Sequence, residues 1–242
     1  MHRKAGLHLY TSNRLELLAD ALAQMVRSPL RDPFAAEAIV IPTLGLERWL
    51  TQQLAARQKI CANVSFLFPQ VFVAGLMDKA LPGRAAARFY SRENLTWRIM
   101  KLLPTFAGRP EFAELQRYLE QPRPELRRFQ LAGKVASSFD QYLAFRPGMI
   151  LDWERGSGKD WQAILWREMS RTAPGLHPPA QAEEFTHALE KATAPLPERV
   201  SFFGISMLPP FYTHFLQELA EATEVHLFMM RPTPEWWSDI RS

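Results

Sequence analysis

The chain has 242 residues, of which 47% are hydrophobic, so it is long enough to bury the core of one large domain or two small ones. No stretch approaches the ~18 uninterrupted apolar residues of a membrane span. The single cysteine, Cys61, excludes an internal disulfide framework and a cysteine-cluster metal site. This cysteine usage also predicts a cytoplasmic protein. The six histidines show no ligand spacing, so no zinc site is expected.

The charge balance is mildly basic. A formal net charge of +4 and a pI near 9.4 favour a polyanionic partner. Most of the cationic residues are arginines, which bind phosphate as a planar fork and stack on bases. An arginine-rich proteome produces the same composition in proteins that never bind nucleic acid. Charge alone therefore leaves a nucleic-acid ligand open without deciding for it.

Residues 7–18, LHLYTSNRLELL, have the local pattern of a nucleotide-binding protein. A short strand containing Leu7 and Leu9 leads into a polar turn. A helix is predicted to open at Asn13, with Glu16 three residues later as its capping partner. The phosphate-binding turn of an ATP-driven motor would read G-x-x-x-x-G-K-[ST], and this turn has neither the glycine nor the lysine. We therefore expect a strand, turn and helix that do not bind ATP.

The next segment predicts a buried strand followed by an amphipathic helix. The apolar run AEAIVIPT (36–43) is typical of a central parallel strand that is covered on both faces. It leads into GLERWLTQQLAARQ, where one apolar stripe is formed by Leu46, Trp49, Leu50 and Leu54. This alternation predicts an α/β fold with a doubly wound parallel sheet.

From about residue 88 to 195 the pattern changes to helical periods broken by prolines. The α/β pattern then resumes with RVSFFGIS (199–206) and EVHLFMM. We therefore predict one sheet domain, residues 1–80 plus 196–242, interrupted by an all-helical insertion at residues 81–195. The closing stretch RPTPEWWSDIRS is typical of the start of a further element, so the sheet domain is expected to be truncated.

One glycine-rich stretch imitates a phosphate-binding loop. In ERGSGKD (154–160), two glycines precede Lys159, but Trp153 stands where the first glycine of the motif should be. Asp160 replaces the hydroxyl residue, and its carboxylate would repel phosphate. The stretch is therefore predicted to be a loop between two helices.

The carboxylate pair of an ATP-driven motor is missing as well. The strand after the insertion would end in Asp-Glu, to hold magnesium and position water, but here it ends in Ile205 and Ser206. Ser206 is predicted to cap the helix that is opened by Pro209 and Pro210. With both motifs absent, no catalytic residue, metal ligand or ATP site is predicted in this chain.

The turn after the second strand, IPTLGLERWL (41–50), is a candidate binding site, because open α/β sheets bind ligands at the carboxyl ends of their strands. Gly45 lets the backbone approach a partner closely, and Thr43 can cap the helix or bond a phosphate. Arg48 points off the apolar stripe. An ordinary strand–helix connection with a surface arginine has the same pattern.

A second candidate lies on the predicted helix GKVASSFDQYLAFRP. Its buried face is predicted to comprise Val135, Phe139, Tyr142 and Leu143. The polar stripe Ser137, Asp140 and Gln141 could read base edges in a single strand, although a solvated helix face looks the same. Arg146, at the helix end, could meet a phosphate, and among the phenylalanines of VSFLFPQVFVAG one could stack on a base.

Several of these stretches occur in the same order in one known family. They are YTSNRLELL, DPF, GLERWL, LTWRIMKLLP, KVASSFDQYLAFRP, RVSFFGISMLPP and WWSDI. Together they resemble the N-terminal part of the RecC family, the gamma subunits of exodeoxyribonuclease V. The resemblance spans essentially the whole chain, and FDQYLAFRP with GISMLPP is far more specific than a short motif.

The resemblance implies a superfamily 1 helicase-like fold that has lost its ATPase motifs, with the sheet as domain 1A and the insertion as domain 1B. It implies a non-catalytic subunit of the RecBCD helicase/nuclease, acting in double-strand break repair by homologous recombination. The partners would be a RecB-type helicase-nuclease, a RecD-type helicase, and single-stranded and forked DNA. ATP and magnesium would be used by the partner subunits. The helicase-like domains would line a channel that scans one strand for a Chi-type signal.

The resemblance also implies which residues contact DNA. The strand-end turn would correspond to the DNA-contacting helicase motif Ia, and the other residues would line the channel. The motif Ia residues are Pro42, Thr43, Leu44 and Arg48; the channel residues are Phe68, Ser137, Asp140, Gln141 and Arg146. A competing hypothesis is an assembly module that docks the partner helicases through the Trp236–Trp237 region and the polar helix faces, with little DNA contact.

Overall fold

The structure, a computed structural model, describes residues 5–83, 87–191, 194–231 and 233. Residue contacts divide the chain into a sheet unit and a helical unit. The sheet unit comprises Met1–Leu76, Pro195–Leu208 and Thr213–Ser242, and the helical unit comprises Met77–Ala194 and Pro209–Tyr212. The assignment of residues 1–80 plus 196–242 and residues 81–195 to two helicase domains stays a prediction. The Trp236–Trp237 region lies outside the described residues.

In the described residues, the sheet unit contains five strands that all run parallel. They are β1 (Gly6–Ser12), β2 (Glu37–Val40), β3 (Val64–Leu67), β4 (Arg199–Phe203) and β5 (Glu224–Met230). Their order across the sheet is β1-β5-β4-β2-β3. Strand β4 follows the helical region in sequence, yet it lies between β5 and β2. The predicted α/β class with a parallel sheet is therefore confirmed.

The described residues form ten α-helices. They are α1 (Leu15–Val26), α2 (Leu44–Gln58), α3 (Pro69–Ala80), α4 (Arg92–Leu102), α5 (Ala113–Leu119), α6 (Pro124–Phe145), α7 (Pro147–Glu154), α8 (Trp161–Arg171), α9 (Pro178–Glu190) and α10 (Pro210–Ala222). Short 3-10 segments are Ala87–Tyr90, Leu103–Phe106 and Pro110–Phe112. Helices α3, α6, α7, α9 and α10 each begin at a proline, because its fixed φ suits the first helical position and its missing N–H has no intrahelical partner there.

The core of the sheet unit forms between one sheet face and the apolar stripes of α1 and α2. Leu18 and Leu22 of α1 are buried one turn apart, as are Leu50 and Leu54 of α2. They pack in one cluster with the buried strand residues Ile39, Phe203 and Phe228 and with Ile41, which follows β2. This packing fixes the start of α2 against the carboxyl edge of the sheet.

The first strand is longer, and the first helix begins later, than the sequence predicts. Ser12 still pairs with Met230 of β5, so the polar turn belongs in part to β1. Arg14 is extended (φ −123°, ψ 120°), and its N–H donates to the Ser12 Oγ over 3.1 Å. The predicted helix start at Asn13 is therefore wrong. Glu16 lies at the second helical position, one short of the position from which a capping partner reaches back.

A buried ion pair joins the two central strands at their amino ends. Glu37 of β2 is 8% exposed and Arg199 of β4 is 2% exposed. The Arg199 Nε donates to Glu37 Oε1 over 2.7 Å, and a second bond joins its Nη2 to Oε2. This fork geometry satisfies both carboxylate oxygens, which a buried charge requires.

The core of the helical unit is aromatic and centres on α8. Trp166 is fully buried, and its ring lies 5.3 Å from that of Phe139 and 5.9 Å from that of Tyr90. On α6, the predicted buried face is borne out for Val135, Phe139 and Leu143, while Tyr142 is partly buried at its edge. Because α6 supplies this apolar stripe, its opposite face is left at the surface.

A polar network crosses this aromatic core. The Trp166 indole N–H donates to Glu154 Oε1 over 3.0 Å, and His177 Nε2 lies 2.9 Å from the same oxygen. The other ring nitrogen of His177 accepts from the Ala180 N–H over 3.3 Å, which makes His177 the N-cap of α9. Burial of the Glu154 carboxylate acts to raise its pKa. The His177 imidazole and hydrogen bonds from Ser170 and Trp166 outweigh burial and hold the pKa of Glu154 below its usual value.

We predict that this network makes stability pH-dependent. Because the pKa of Glu154 is lower in the folded chain, its ionised form stabilises the fold above the unfolded value of about 4.3, and this contribution is lost as the pH falls through the folded pKa. Glu154→Gln should cost about 1 kcal/mol at pH 7. Urea unfolding of both proteins between pH 7 and pH 3 should show the difference narrowing at the acid end. A constant difference over that range would contradict this account.

Candidate nucleic-acid interface

The carboxyl edge of the sheet carries the first group of predicted site residues. A shallow groove of about 440 Å³ lies there, where β2, β4 and β5 end. Its lining comprises Leu15, Pro42, Thr43, Gly45, Leu46, Trp49, Gly204 and Met230. The groove thus lies where open α/β sheets bind their ligands.

The N-terminus of α2 faces solvent beside this groove. Thr43 is extended (φ −149°, ψ 151°), and its Oγ1 accepts from the Leu46 N–H over 3.2 Å, so the predicted capping role is confirmed. Pro42, Thr43 and Leu44 are exposed, and Leu44 is 61% exposed although it is apolar. Arg48 is also exposed, one turn into the helix. The first N–H groups of a helix, its partial positive charge and a guanidinium one turn on are features that attract anions, while Glu47 adds one negative charge to the first turn.

Gly204, which the sequence analysis did not single out, makes this edge possible. It follows β4 with φ +69°, and its N–H donates to the Phe228 carbonyl over 2.9 Å. A Cβ at this position would lie 2.7 Å from Leu46 Cδ2. Glycine therefore permits both the left-handed backbone and the close approach of α2. The signal was available, since a glycine directly after a buried strand is typical of such an approach.

Phe68 reaches the same edge from the neighbouring strand. It follows β3, which pairs with β2 in a register that joins Val40 to Leu67. The Ile41 N–H extends this ladder by donating to the Leu67 carbonyl over 2.9 Å. Phe68 is half-buried, and its carbonyl accepts from the Phe72 N–H at the start of α3. The structure therefore brings Phe68 to the edge that carries the start of α2.

The predicted role of Ser206 is wrong. Helix α10 begins at Pro210, so Ser206 lies four residues before it, too far to be its N-cap. Ile205 is buried and holds the chain against the core, while Ser206 is exposed in the connecting loop.

The helical unit carries the second group of predicted site residues along α6. Asp140 and Gln141 are exposed and Ser137 is half-buried, on the side opposite the aromatic core. Burial, and secondarily the charge of Asp140, raises the pKa of Tyr212. The Tyr212 phenol therefore lies near the Asp140 side chain.

Arg146 ends this row at the junction of α6 and α7. It is the C-cap residue of α6 (φ −137°, ψ 50°), and its N–H donates to the Tyr142 carbonyl over 2.9 Å. Its guanidinium lies 5.9 Å from the centroid of the Tyr142 ring and the residue is exposed. The ring orients the cation while leaving its donors in solvent. The nine predicted site residues thus form one group on the sheet unit and another on the helical unit.

The glycine-rich stretch after α7 is a structural loop, as predicted. Asp160 caps α8 by accepting from the Gln162 and Ala163 N–H groups. The Arg167 guanidinium donates to the carbonyl oxygens of Trp153, Ser157 and Gly158. A loop whose carbonyls converge on an arginine presents no cradle of N–H groups to a phosphate.

Two further features are absent from the described ranges, a metal-binding cluster and a membrane-spanning helix. No group of three or more His, Cys, Asp or Glu side chains there could hold a metal ion. None of the helices described above combines the length and the apolar character that crossing a bilayer requires.

Comparison with known proteins assigns the chain to a family. The family model described as RecC, N-terminal domain, matches residues 7–242. The chain is 34% identical to the RecBCD enzyme subunit RecC of Escherichia coli strain K12, covering 97% of this chain and 22% of that protein. The same-named subunit of Haemophilus influenzae is 32% identical, over 96% of this chain and 24% of that protein. The one of Mycolicibacterium smegmatis is 31% identical, over 97% and 22%.

The chain therefore spans less than a quarter of the length of these relatives. The match nevertheless covers nearly all of its own residues, including both groups of predicted site residues. The resemblance drawn from the sequence is confirmed: the chain belongs to the RecC family and carries its N-terminal domain.

Proposed function

We propose that the chain is the non-catalytic, helicase-like N-terminal part of a RecC-type subunit and guides single-stranded DNA. The observation that carries the proposal is the carboxyl edge of the sheet. It presents an exposed helix N-terminus and Arg48, while the sequence lacks the lysine and the Asp-Glu pair that a nucleotide site needs at this edge. Such an edge can hold a phosphate backbone but lacks the two motifs with which a motor binds and hydrolyses ATP.

In this proposal the sheet unit is helicase domain 1A and the helical unit is domain 1B. The partners are a RecB-type helicase-nuclease and a RecD-type helicase, which together form an ATP-dependent exodeoxyribonuclease. ATP and magnesium are used by those subunits. The complex acts in the cytoplasm, in double-strand break repair by homologous recombination, and this chain contributes to recognition of a Chi-type signal.

The two groups of residues make different kinds of contact to the single-stranded DNA, according to their side chains. At the sheet edge, the Thr43 hydroxyl and the Arg48 guanidinium donate to phosphate oxygens, and Phe68 offers a ring to a base. On α6, Arg146 donates to a phosphate while Asp140 and Gln141 offer a carboxylate and an amide to base edges. Phosphate contacts supply affinity, and the α6 contacts supply preference for certain bases.

Replacing either arginine tests the proposal. Arg48→Ala and Arg146→Ala should each weaken binding of a fluorescein-labelled single strand about tenfold at low salt, because each removes a charge-assisted phosphate contact. The slope of log K against log salt should fall by about 0.7 for each variant. Fluorescence anisotropy over a salt series measures both quantities. Arg155→Ala, which removes an exposed guanidinium paired with Glu183, is the matched control and should change neither.

The opposite result would favour an assembly module that docks the partner helicases. Some exposed apolar side chains suit that function: Phe34 is 90% exposed and Met207 is 72% exposed. Unchanged DNA affinity and salt slope in both arginine variants would replace the DNA-guiding function with this one.

A further inference from the structure

A groove on the helical unit adjoins the predicted site residues of α6 and shares Ser137 with them. It has a volume of about 970 Å³ and is bordered by α4, α5 and α6. Three of its lining side chains are aromatic: Trp97, Tyr118 and Phe129. None of these three residues is among the site residues predicted from the sequence.

Two of these rings are largely exposed to solvent. Trp97 is 60% exposed and Phe129 is 44% exposed, whereas Trp166 in the same unit is fully buried. Helix α4 buries Leu95 and Ile99, so Trp97 lies on its outer side. The Trp97 and Phe129 ring centroids lie 5.6 Å apart with the planes at 46°. The pair therefore presents aromatic surface to solvent, where apolar surface is unfavourable unless a ligand covers it.

The floor of the groove is open because it contains a glycine. Gly133 lies within α6, and a Cβ added there would meet no atom within 4 Å. A glycine inside a helix costs about 1 kcal/mol relative to alanine. Here the absent side chain leaves room for a flat group between the aromatic rings and α6.

Cations and neutral polar groups line the groove together with the rings. Arg92 and Lys134 line the groove, and no ion-pair partner for either is found among the described residues. Glu93 also lines it, so the lining carries two positive charges and one negative, a net charge of +1. Gln130 and Ser137 add an amide and a hydroxyl.

We propose that this groove binds unpaired nucleotides of a single DNA strand, with a base stacked on Trp97 and phosphate held by Arg92 and Lys134. Aromatic platforms beside cations are the general means of holding single strands. A peptide helix would need a continuous apolar trough, but six of the twelve lining residues are polar or charged and interrupt the apolar surface. The inference rests on the proposed function and extends it, because Ser137 belongs both to the groove and to the polar row of α6.

The groove and the polar row of α6 lie close enough along the helix for one DNA strand to contact both. Phe129 and Ser137 are eight residues apart, which corresponds to about 12 Å of helix. A strand that leaves the Asp140 and Gln141 face would therefore meet the aromatic pair next. The groove would hold any base, since stacking is insensitive to sequence.

Variants at the ring and at the floor test the proposal in the full 242-residue chain. Trp97→Ala should weaken binding of labelled oligo-dT about tenfold, and Trp97→Phe should keep most of the affinity. Gly133→Leu should weaken binding equally by filling the groove, without loss of stability, since its backbone is helical and its Cβ meets no atom. Phe89→Ala, at a ring 43% exposed outside the groove, is the control and should bind as the parent does.

Each outcome decides between the groove and the wider proposed function. If Arg146→Ala weakens binding but Trp97→Ala and Gly133→Leu do not, the groove proposal is overturned and the proposed function stands. If the parent chain fails to bind oligo-dT at low salt, both are overturned. Photo-crosslinking with 5-iododeoxyuridine in the strand should place an adduct on Trp97 or Phe129. If both groove variants spare DNA binding but release a partner subunit from the complex, the groove is a protein-docking surface.

Discussion

Arg199→Ala is expected to destabilise the sheet unit by about 3–5 kcal/mol. The substitution removes the guanidinium that bonds both oxygens of Glu37 and leaves that carboxylate buried between the central strands without a counter-ion. An isolated buried charge costs far more than the net contribution of the pair. Urea unfolding followed by circular dichroism measures the loss.

Two further variants separate the orphaned charge from the loss of packing. Replacing both Glu37 and Arg199 with methionine should recover most of the stability, because no buried charge remains and the volume is kept. Arg155→Ala, which breaks an exposed pair with Glu183, should cost at most about 1 kcal/mol. An equal loss in the Arg199→Ala and Arg155→Ala chains would refute the account of a buried, structurally required pair.

Trp166→Ala is expected to cost the helical unit about 3–5 kcal/mol. The ring is fully buried against Phe139, Tyr90 and His177, so truncation leaves a large cavity in a rigid aromatic core. It also removes the N–H that donates to Glu154. The two losses act in the same direction, since one removes packing and the other leaves a half-buried carboxylate with one donor fewer.

A phenylalanine variant separates the loss of packing from the loss of the hydrogen bond to Glu154. Trp166→Phe keeps most of the ring and should cost less than the alanine variant by about 1–2 kcal/mol. Trp97→Ala, at an exposed tryptophan in the same unit, should change the free energy of unfolding by less than about 0.5 kcal/mol. Calorimetric unfolding compares all three. A Trp97→Ala chain as unstable as Trp166→Ala would mean that its DNA-binding defect reports unfolding and not a lost contact.

The architecture followed from the sequence wherever one periodicity dominated. The run containing Ile39 and Val40 predicted a central strand, and the spacing of Leu50 and Leu54 predicted the buried side of its helix, because burial on both faces leaves an unbroken apolar signal. The prediction that the helix starts at Asn13 is wrong, because the polar residues of this turn are equally compatible with the end of a strand. Pairing with β5 decides between them, and that partner lies more than 200 residues away.

The candidate site was predictable in part. The position of Thr43 and Arg48 at a strand end followed from topology, and the capping bond of Thr43 followed from its residue type. The role of Gly204 depends on Leu46, which approaches from another part of the chain. The groove beside Trp97 was not predictable, since a single tryptophan in an amphipathic helix is usually core and its exposure depends on how α4 and α6 pair.

The strand order has a consequence for how the chain is made. Strand β2 cannot pair with β4 until β4 has been synthesised. The first residue of β4 lies 162 positions after the first residue of β2. At a synthesis rate of 5–20 residues per second, that wait lasts about 10 to 30 s. The helical region packs through elements that are closer in sequence, such as α4 with α6 and α7 with α8, and this favours its folding during the interval. Until translation reaches β4, the nascent β2–β3 pair would expose the apolar edge of β2. We expect a chaperone to bind this edge during that time, because an exposed strand edge promotes aggregation.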